Sequence, residues 1–332
     1  MSIVIERLIE PDIDGLFEFR SRVFPKNSRQ LDRDRWAWLY INNPSSNGKI
    51  PVWVLKSENR IVGSIASTDT RVKVGDHTFL ASFGNDYYVE KEYLGLASLR
   101  LLKTMLAEYQ LNIAANLSES ARRLFKQMKY SDLSSSLDMM TLPLLPANSL
   151  RSIIKLLVLS AARKLSYPTA FESVVFDNVP ELMPELWGRI ANSQRVTIIK
   201  DKKYLEWRYG QCPSTKFKFI SIMGKGHLRG VAVVTKFNQQ GVIMDLLVPA
   251  GENAILHALM QESLNFFKRA GCTESYAHVS GNWSRKVFAL FGFYRGISDI
   301  GLMVHAASKD LALEEAKDPA LWHFNLGDTD RI

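Results

Sequence analysis

Three short patterns occur twice in this chain of 332 residues, in the same order. Trp38-Leu39-Tyr40-x-x-x-Pro44 returns as Trp207-Arg208-Tyr209-x-x-x-Pro213, and Asp86-Tyr87-Tyr88-Val89 returns as Asp245-Leu246-Leu247-Val248. Leu124-Phe125-x-x-x-x-Tyr130 returns as Val287-Phe288-x-x-x-x-Phe293. Ordered recurrence of this kind points to one domain built twice. The length suits two domains of about 150 residues. Hydrophobic residues make up 46% of the chain, enough for a core in each half.

The first half reads as an alternation of strands and helices. Ile3–Leu8 is a strand, and Pro11, Asp12 and Asp14 start a helix that runs through Val23. A second helix, Leu31–Ile41, stops at Asn42-Asn43-Pro44-Ser45. Val52–Ser57 and Ile61–Ser67 form a hairpin around Glu58-Asn59-Arg60, and Val72–Val74 and His77–Leu80 flank a turn at Gly75-Asp76. The stretch Ala81–Tyr109 then gives a strand through Val89, a polar break, and a helix opened by Gly95-Leu96-Ala97-Ser98. Leu99, Leu102, Met105 and Leu106 fall at the spacing of one buried helix face. A strand Leu111–Ala115, a helix Ser118–Met128 and a strand region Leu133–Thr141 complete this half. The second half fills the same order, from the strand Val174–Phe176 to the helix Trp283–Phe291.

Small residues at a helix start let a ligand approach the backbone, and the free N–H groups there suit a phosphate or pyrophosphate. This stretch resembles the acyl-CoA segment of the GCN5-related N-acetyltransferase superfamily, in which Arg/Gln-x-x-Gly-x-Gly/Ala wraps the CoA pyrophosphate. Here it reads Glu92-Tyr93-Leu94-Gly95-Leu96-Ala97, with Gly95 and Ala97 matching and Glu92 departing. The family's tyrosine acid falls on Phe125, which has no proton to give.

The resemblance implies an α/β (α+β) fold of two tandem acetyltransferase-like domains, each a mixed central sheet flanked by helices. The expected bounds are 1–145 for the first domain, 146–168 for a linker, 169–310 for the second domain and 311–332 for a tail. It further implies acetyl-CoA or another acyl-CoA as donor, contacted by Tyr88, Val89, Gly95, Leu96, Ala97 and Ser98. The implied reaction is acyl transfer to an amine, on a small molecule such as an amino sugar or nucleotide-linked sugar. The second half reads Pro249-Ala250-Gly251-Glu252-Asn253-Ala254 at the matching place, without the glycine pattern and with one N–H fewer. Donor binding is therefore expected in the first half and acceptor recognition in the second.

Acyl transfer needs a base, and Asp86 and Asp245 are carboxylates on otherwise apolar strands, where each needs a purpose or a partner. His278 is a second candidate base, with a satisfied core histidine as the plain alternative. Trp38 and Tyr40 read as packing residues or as a platform for a sugar ring, and Arg208 as a ligand for a phosphate or carboxylate. The tail places Trp322 and Phe324 beside Asp328 and Asp330, and resembles the ends of tandem proteins from bacterial surface-polysaccharide clusters. Its aromatics could dock it over a cleft, with the two aspartates free to bind sugar hydroxyls or an amine.

The six histidines are scattered, and Cys212 and Cys272 lack ligand spacing, so no metal is expected. No leader is visible and no uncharged apolar run approaches the roughly 20 residues of a membrane span, so a cytoplasmic protein is expected. The basic, apolar segment Leu150–Leu165 reads as a connecting helix, or as a site of peripheral membrane contact. A formal charge of +8 suits an anionic partner, but no Lys/Arg stripe with interleaved aromatics calls for nucleic acid. Two other functions stay open. One is a non-catalytic binding protein of the same fold, and the other is aminoacyl transfer from charged tRNA.

Overall fold

The computed structural model describes residues 3–144, 171–280, 282–298, 300–306 and 311–329. The segment expected to link the halves, with its helix over 150–165, and Asp330 lie outside these. The chain divides into two compact units. Over the described residues, the first holds everything up to Asp132 together with 211–214, 302–306 and 311–317, and the second holds the rest.

In the first unit, β1 (Ile3–Arg7), β2 (Val52–Ser57) and β3 (Arg60–Ser67) are successive antiparallel neighbours. The β2–β3 turn has Glu58 and Asn59 both at positive φ, the geometry that matches strand twist in a two-residue hairpin. β4 (Thr70–Val74) returns through Gly75 to β5 (His77–Val89). The sequence suggests a break after Leu80, but β5 is one strand of 13 residues that changes partners along its length. Its first part pairs with β4, its middle runs parallel to β6 (Leu111–Ala114), and its last part pairs with β3.

α1 (Ile13–Val23) and α3 (Leu96–Leu106) cover opposite faces of this sheet, with α2 (Arg33–Tyr40) between them in sequence. Tyr88 packs on Phe19 of α1, whereas Val89, next along the strand, joins Leu101, Leu102 and Met105 of α3. The buried face of α3 is turned slightly from the expected one, with Leu101 fully buried in place of Leu99. Side chains close the helix starts: Asp32 accepts the N–H groups of Asp34 and Arg35, and Ser118 accepts that of Ala121 at the start of α4 (Glu119–Gln127).

The second unit has a seven-stranded sheet in the order β15-β8-β14-β13-β12-β11-β9. Its strands are β8 (Leu137–Pro143), β9 (Glu172–Phe176), β11 (Lys218–Gly224), β12 (His227–Phe237), β13 (Gln240–Leu247), β14 (Glu274–Ser280) and β15 (Tyr294–Ile297). β10 (Val196–Ile198) runs beside the tail strand Trp322–His323. α5 (Asn253–Arg269) packs Ile255, Leu259 and Phe267 into the core of this sheet.

The two units exchange their last strands. β8 follows the first half in sequence but lies between β14 and β15. Arg285 and Arg295 both pair with Asp138 of this strand, the latter at 2.8 Å. Conversely, the strand Met303–Ala306 follows the second half but pairs with β6 and with β7 (Ser131–Asp132) of the first unit. No helix among the described residues is long and apolar enough to cross a membrane.

Candidate active site

The geometry starts at an irregularity in β5. Its register with β3 slips between Ser64 and Ala66, so that Asp86 and Tyr87 bulge out of the ladder. Asp86 sits at φ 50°, a left-handed conformation that costs a residue with a Cβ roughly 1–2 kcal/mol and needs external support. Two groups give it. Arg20 Nη2 donates to Asp86 Oδ2 at 2.9 Å, and the Tyr40 hydroxyl donates to the same oxygen at 2.8 Å. Arg20 is itself buried on α1 and steadied by Gln30 O at 2.7 Å. Burial, then the charge of Asp86, pushes the Tyr40 phenol well above its ordinary value, so it stays a proton donor to the carboxylate. The other oxygen, Oδ1, has no partner among the described residues, and the Asp86 side chain is 14% exposed.

Beside this carboxylate the sheet opens. β5 and β6 pair only from Ala81–Leu111 to Phe83–Ile113, yet β5 continues to Val89. Glu90 N–H bonds Val62 O at 2.9 Å. By the alternation of an antiparallel ladder, the N–H of Val89 therefore points away from β3, toward the edge β6 has left.

Beyond Val89 the chain makes a short turn, and Gly95 at φ 95° leads into α3. A Cβ at Gly95 would meet nothing within 4 Å, so the backbone conformation, rather than space, calls for glycine. The first N–H bonding back to Gly95 O is that of Leu99, at 3.0 Å. Those of Leu96, Ala97 and Ser98 have no partner within the helix. Ser98 Oγ donates to Gly95 O, and the Tyr87 hydroxyl donates to Ser98 O, which fixes this first turn against the bulge. Phe125 packs edge-on against Tyr130 at 4.6 Å. Tyr130 is buried, and its phenol is pushed up by that burial.

The second unit repeats the arrangement at Asp245. Its strand β13 also slips against β12, between Val233 and Val234, but there Met244 is the residue left over and Asp245 stays in the ladder opposite Val233. A short helix, Lys202–Leu205, continues as a wider π-helical turn over Glu206–Gly210 that carries Tyr209 inward. The Tyr209 hydroxyl donates to Asp245 Oδ2, while Lys200 Nζ lies 2.5 Å from Oδ1 and 2.8 Å from Asp328 Oδ1. The charges of Asp245 and Asp328 hold the Lys200 ammonium above its ordinary range despite complete burial.

β13 and β14 also part, after Ile243–Ala277, but here the tail fills the opening. Phe324 N–H bonds Ser280 Oγ at 2.7 Å and Asn325 bridges to Val279. Gly327 lies so close to Tyr209 and Asp245 that a Cβ would overlap the phenol oxygen. Arg208 donates to Gly327 O at 3.0 Å and to Thr329 O. Trp322, Phe324 and Asp328 are buried with it.

The structure thus brings Asp86 together with Tyr40, and Asp245 together with Arg208, Asp328 and the tail. Trp38 is buried, and His278, also buried, lies with Nδ1 3.0 Å from Ser298 Oγ. Tyr88 packs against Phe24. Sequence reasoning missed Arg20, Lys200 and Gly327. Lys200 carried a signal, a lysine directly after the apolar run Val196-Thr197-Ile198-Ile199. Among the described residues no group of three or more His, Cys, Asp or Glu could hold a metal ion.

No family model matches the chain. No curated protein matches it either. Solved structures do. A GCN5-related N-acetyltransferase from Anabaena variabilis has a TM-score of 0.63 at 13% identity, over 92% of this chain and 73% of that one. One from Kribbella flavida has 0.61 at 12%, over 92% and 72%. Saccharomyces cerevisiae N-myristoyltransferase with bound myristoyl-CoA has 0.54 at 10%, over 92% and 78%. These likenesses define the fold: the chain has that of the GCN5-related N-acetyltransferases, as the strand order and the Gly95 turn imply.

Proposed function

We propose that the first unit transfers an acyl group from acyl-CoA to an amine. The observation that carries this reading is the opening between β5 and β6, with unpaired helix amides at one end and a fixed carboxylate beside it. The N–H groups of Leu96, Ala97 and Ser98 suit the donor's pyrophosphate. The Val89 N–H suits the thioester carbonyl oxygen, where negative charge grows as the amine attacks. Asp86 Oδ1 orients the amine and takes its proton, while Arg20 and Tyr40 keep the carboxylate in place. The C–N bond forms, the C–S bond breaks, and the thiolate takes its proton from solvent because Phe125 has none to give.

The second unit supports the assignment of Asp86. There the matching carboxylate holds a primary ammonium, that of Lys200, on the oxygen not used by its tyrosine. An amino sugar or nucleotide-linked sugar is the acceptor class we favour.

Calorimetric titration of the full chain with CoA and acetyl-CoA, beside Gly95→Glu, tests the donor site. Binding to the wild type that vanishes in the variant supports it. A folded wild type that binds neither ligand sinks it. Asp86→Asn is expected to lower kcat/KM by about 10²–10⁴-fold while CoA binding persists. A second reading, a protein of this fold that binds without catalysing, is favoured by Phe125. It predicts CoA binding with no turnover on any amine.

A further inference from the structure

The first unit has a second feature that acyl transfer as proposed does not use. A cleft of about 430 Å³ lies past Asp86 on the α1 side of β5, lined by the apolar Val23 and by six polar residues, Arg22, Arg60, Tyr88, Glu90, Lys91 and Glu92. Three of these six are basic and two are acidic, which leaves one positive charge in surplus. The arginines share a single carboxylate. Arg60 Nη2 lies 2.9 Å and Arg22 Nη2 3.3 Å from Glu90, whose side chain is only 14% exposed. Arg22 Nη2 also donates to Ile61 O, which fixes the guanidinium plane. Neither the Lys91 ammonium nor the Tyr88 hydroxyl has a partner among the described residues. Phe24, packed on Tyr88 at 5.4 Å, steadies that ring. Glu92, the departure from the family pattern, lines this cleft as well.

We infer that the cleft is a phosphate subsite that takes the phosphorylated end of the acceptor. The inference rests on the proposed function for the acceptor's other end, the amine at Asp86. The Lys91 ammonium and the Tyr88 hydroxyl are donors left without an acceptor beside two guanidinium groups that Glu90 holds in place, and a phosphate presents only acceptors. The positive surplus favours an anion over a neutral polyol. A strand rises about 3.3 Å per residue, so Tyr88 on β5 and Glu90 just past its end stand at most about 7 and 13 Å from Asp86. An amine and a phosphate at the two ends of one small molecule fit that span, as in a sugar phosphate or sugar diphosphate that carries an amine.

The test is calorimetric titration of the full chain with inorganic pyrophosphate, for the wild type, Lys91→Gln, Arg22→Gln and Gly95→Glu. The Lys91 side chain is exposed and has no partner among the described residues, so its variant keeps the fold. Pyrophosphate is expected to bind the wild type and Gly95→Glu alike, and to bind each of the other two about five- to tenfold more weakly, the size of a partly exposed charged contact. Absence of binding to the wild type, or binding by Lys91→Gln and Arg22→Gln as tight as by the wild type, overturns the inference. So does binding lost in Gly95→Glu alone, which would place the anion at the helix start.

The same titration on CoA-saturated protein separates the sources. Continued pyrophosphate binding assigns the cleft to the acceptor. Displacement by CoA, with CoA itself weakened in Lys91→Gln but dephospho-CoA unaffected, assigns it to the donor and overturns the acceptor claim. A wild type that binds pyrophosphate in this way but binds no CoA would sink the acyl-transfer reading and leave the subsite standing.

Discussion

The two units set the same pair of side chains, an aspartate on a bulged strand and a tyrosine from the repeated aromatic motif, in opposite surroundings. Around Asp86 the cation is an arginine, one carboxylate oxygen is unclaimed, and the side chain is 14% exposed. Around Asp245 the cation is Lys200, both oxygens are claimed, and neither charged side chain exceeds 1% exposure. The chain's own tail makes the difference. It lies in the opening of the second unit, where among the described residues the first unit leaves the β6 side of β5 unpaired beyond Phe83. An open carboxylate can exchange partners with a ligand, whereas a sealed one is part of the core. On the proposed function the open carboxylate is the one suited to chemistry, and the closed one stabilises its unit.

Breaking the sealed copy should have the largest effect. Lys200→Met leaves Asp245 and Asp328 facing each other in the core, and should cost about 3–5 kcal/mol in urea unfolding. Arg20→Met leaves Asp86 with some access to water and should cost less. Equal losses for the two would erase the contrast between the sites. Adding Asp328→Asn to Lys200→Met should recover part of the loss, since it removes one of the two stranded charges.

Next in size is Gly327→Ala. The added methyl overlaps the Tyr209 hydroxyl and comes within 2.8 Å of Asp245, both buried, so it cannot be absorbed by a flexible side chain. An overpacking penalty of about 1–3 kcal/mol is expected, together with faster proteolysis within 322–329. Combining it with Tyr209→Phe, which removes the overlapping atom, should make the two losses less than additive.

Much of this organisation was legible in the sequence. The repeated motifs mark the positions that match in space, Tyr40 with Tyr209 and Asp86 with Asp245. The paired rings repeat as well, Phe125 with Tyr130 at 4.6 Å and Phe288 with Phe293 at 4.8 Å. What stayed hidden depends on contacts far apart in the chain. A strand pattern states which face is apolar but not which neighbour it pairs with, so the exchange of β8 and the strand Met303–Ala306 left no local mark. Lys200 meets Asp328 across 128 residues, and although the apolar run before it marks Lys200 as a lysine to be buried, nothing local names its partner. The continuity of β5 was hidden for a related reason, because the strand changes neighbours along its length.

The sealed copy should also respond to acid. His323 is buried, and burial followed by the charge of Lys200 pushes its imidazole down to about 3 from 6.5. The unfolded chain takes up a proton below 6.5 that the folded chain refuses until about 3, so acid in this window favours unfolding. Asp328, raised to about 6 by burial, acts in the opposite sense between 6 and 3.8 and masks part of this in the wild type. The comparison with His323→Gln isolates the histidine. Relative to that variant, the wild type should lose about 1.4 kcal/mol per pH unit as pH falls from 6.5 toward 3, with no difference in slope above 7. Parallel profiles for the two proteins would show that the imidazole is not sealed.

The smallest expected effect is the most direct comparison of the two sites, because it removes the same atom from each. Tyr209→Phe leaves Asp245 Oδ2 without its donor in a site closed to water, and the desolvation of that oxygen is then uncompensated, at about 1–3 kcal/mol. Tyr40→Phe removes the matching bond from Asp86, but Arg20 still donates to the same oxygen at 2.9 Å and water can reach the carboxylate, so about 1 kcal/mol or less is expected. Chemical denaturation of the two single variants gives the difference. If Tyr40→Phe costs as much as Tyr209→Phe, the first site is as closed as the second, and Asp86 has no vacant oxygen to offer an amine.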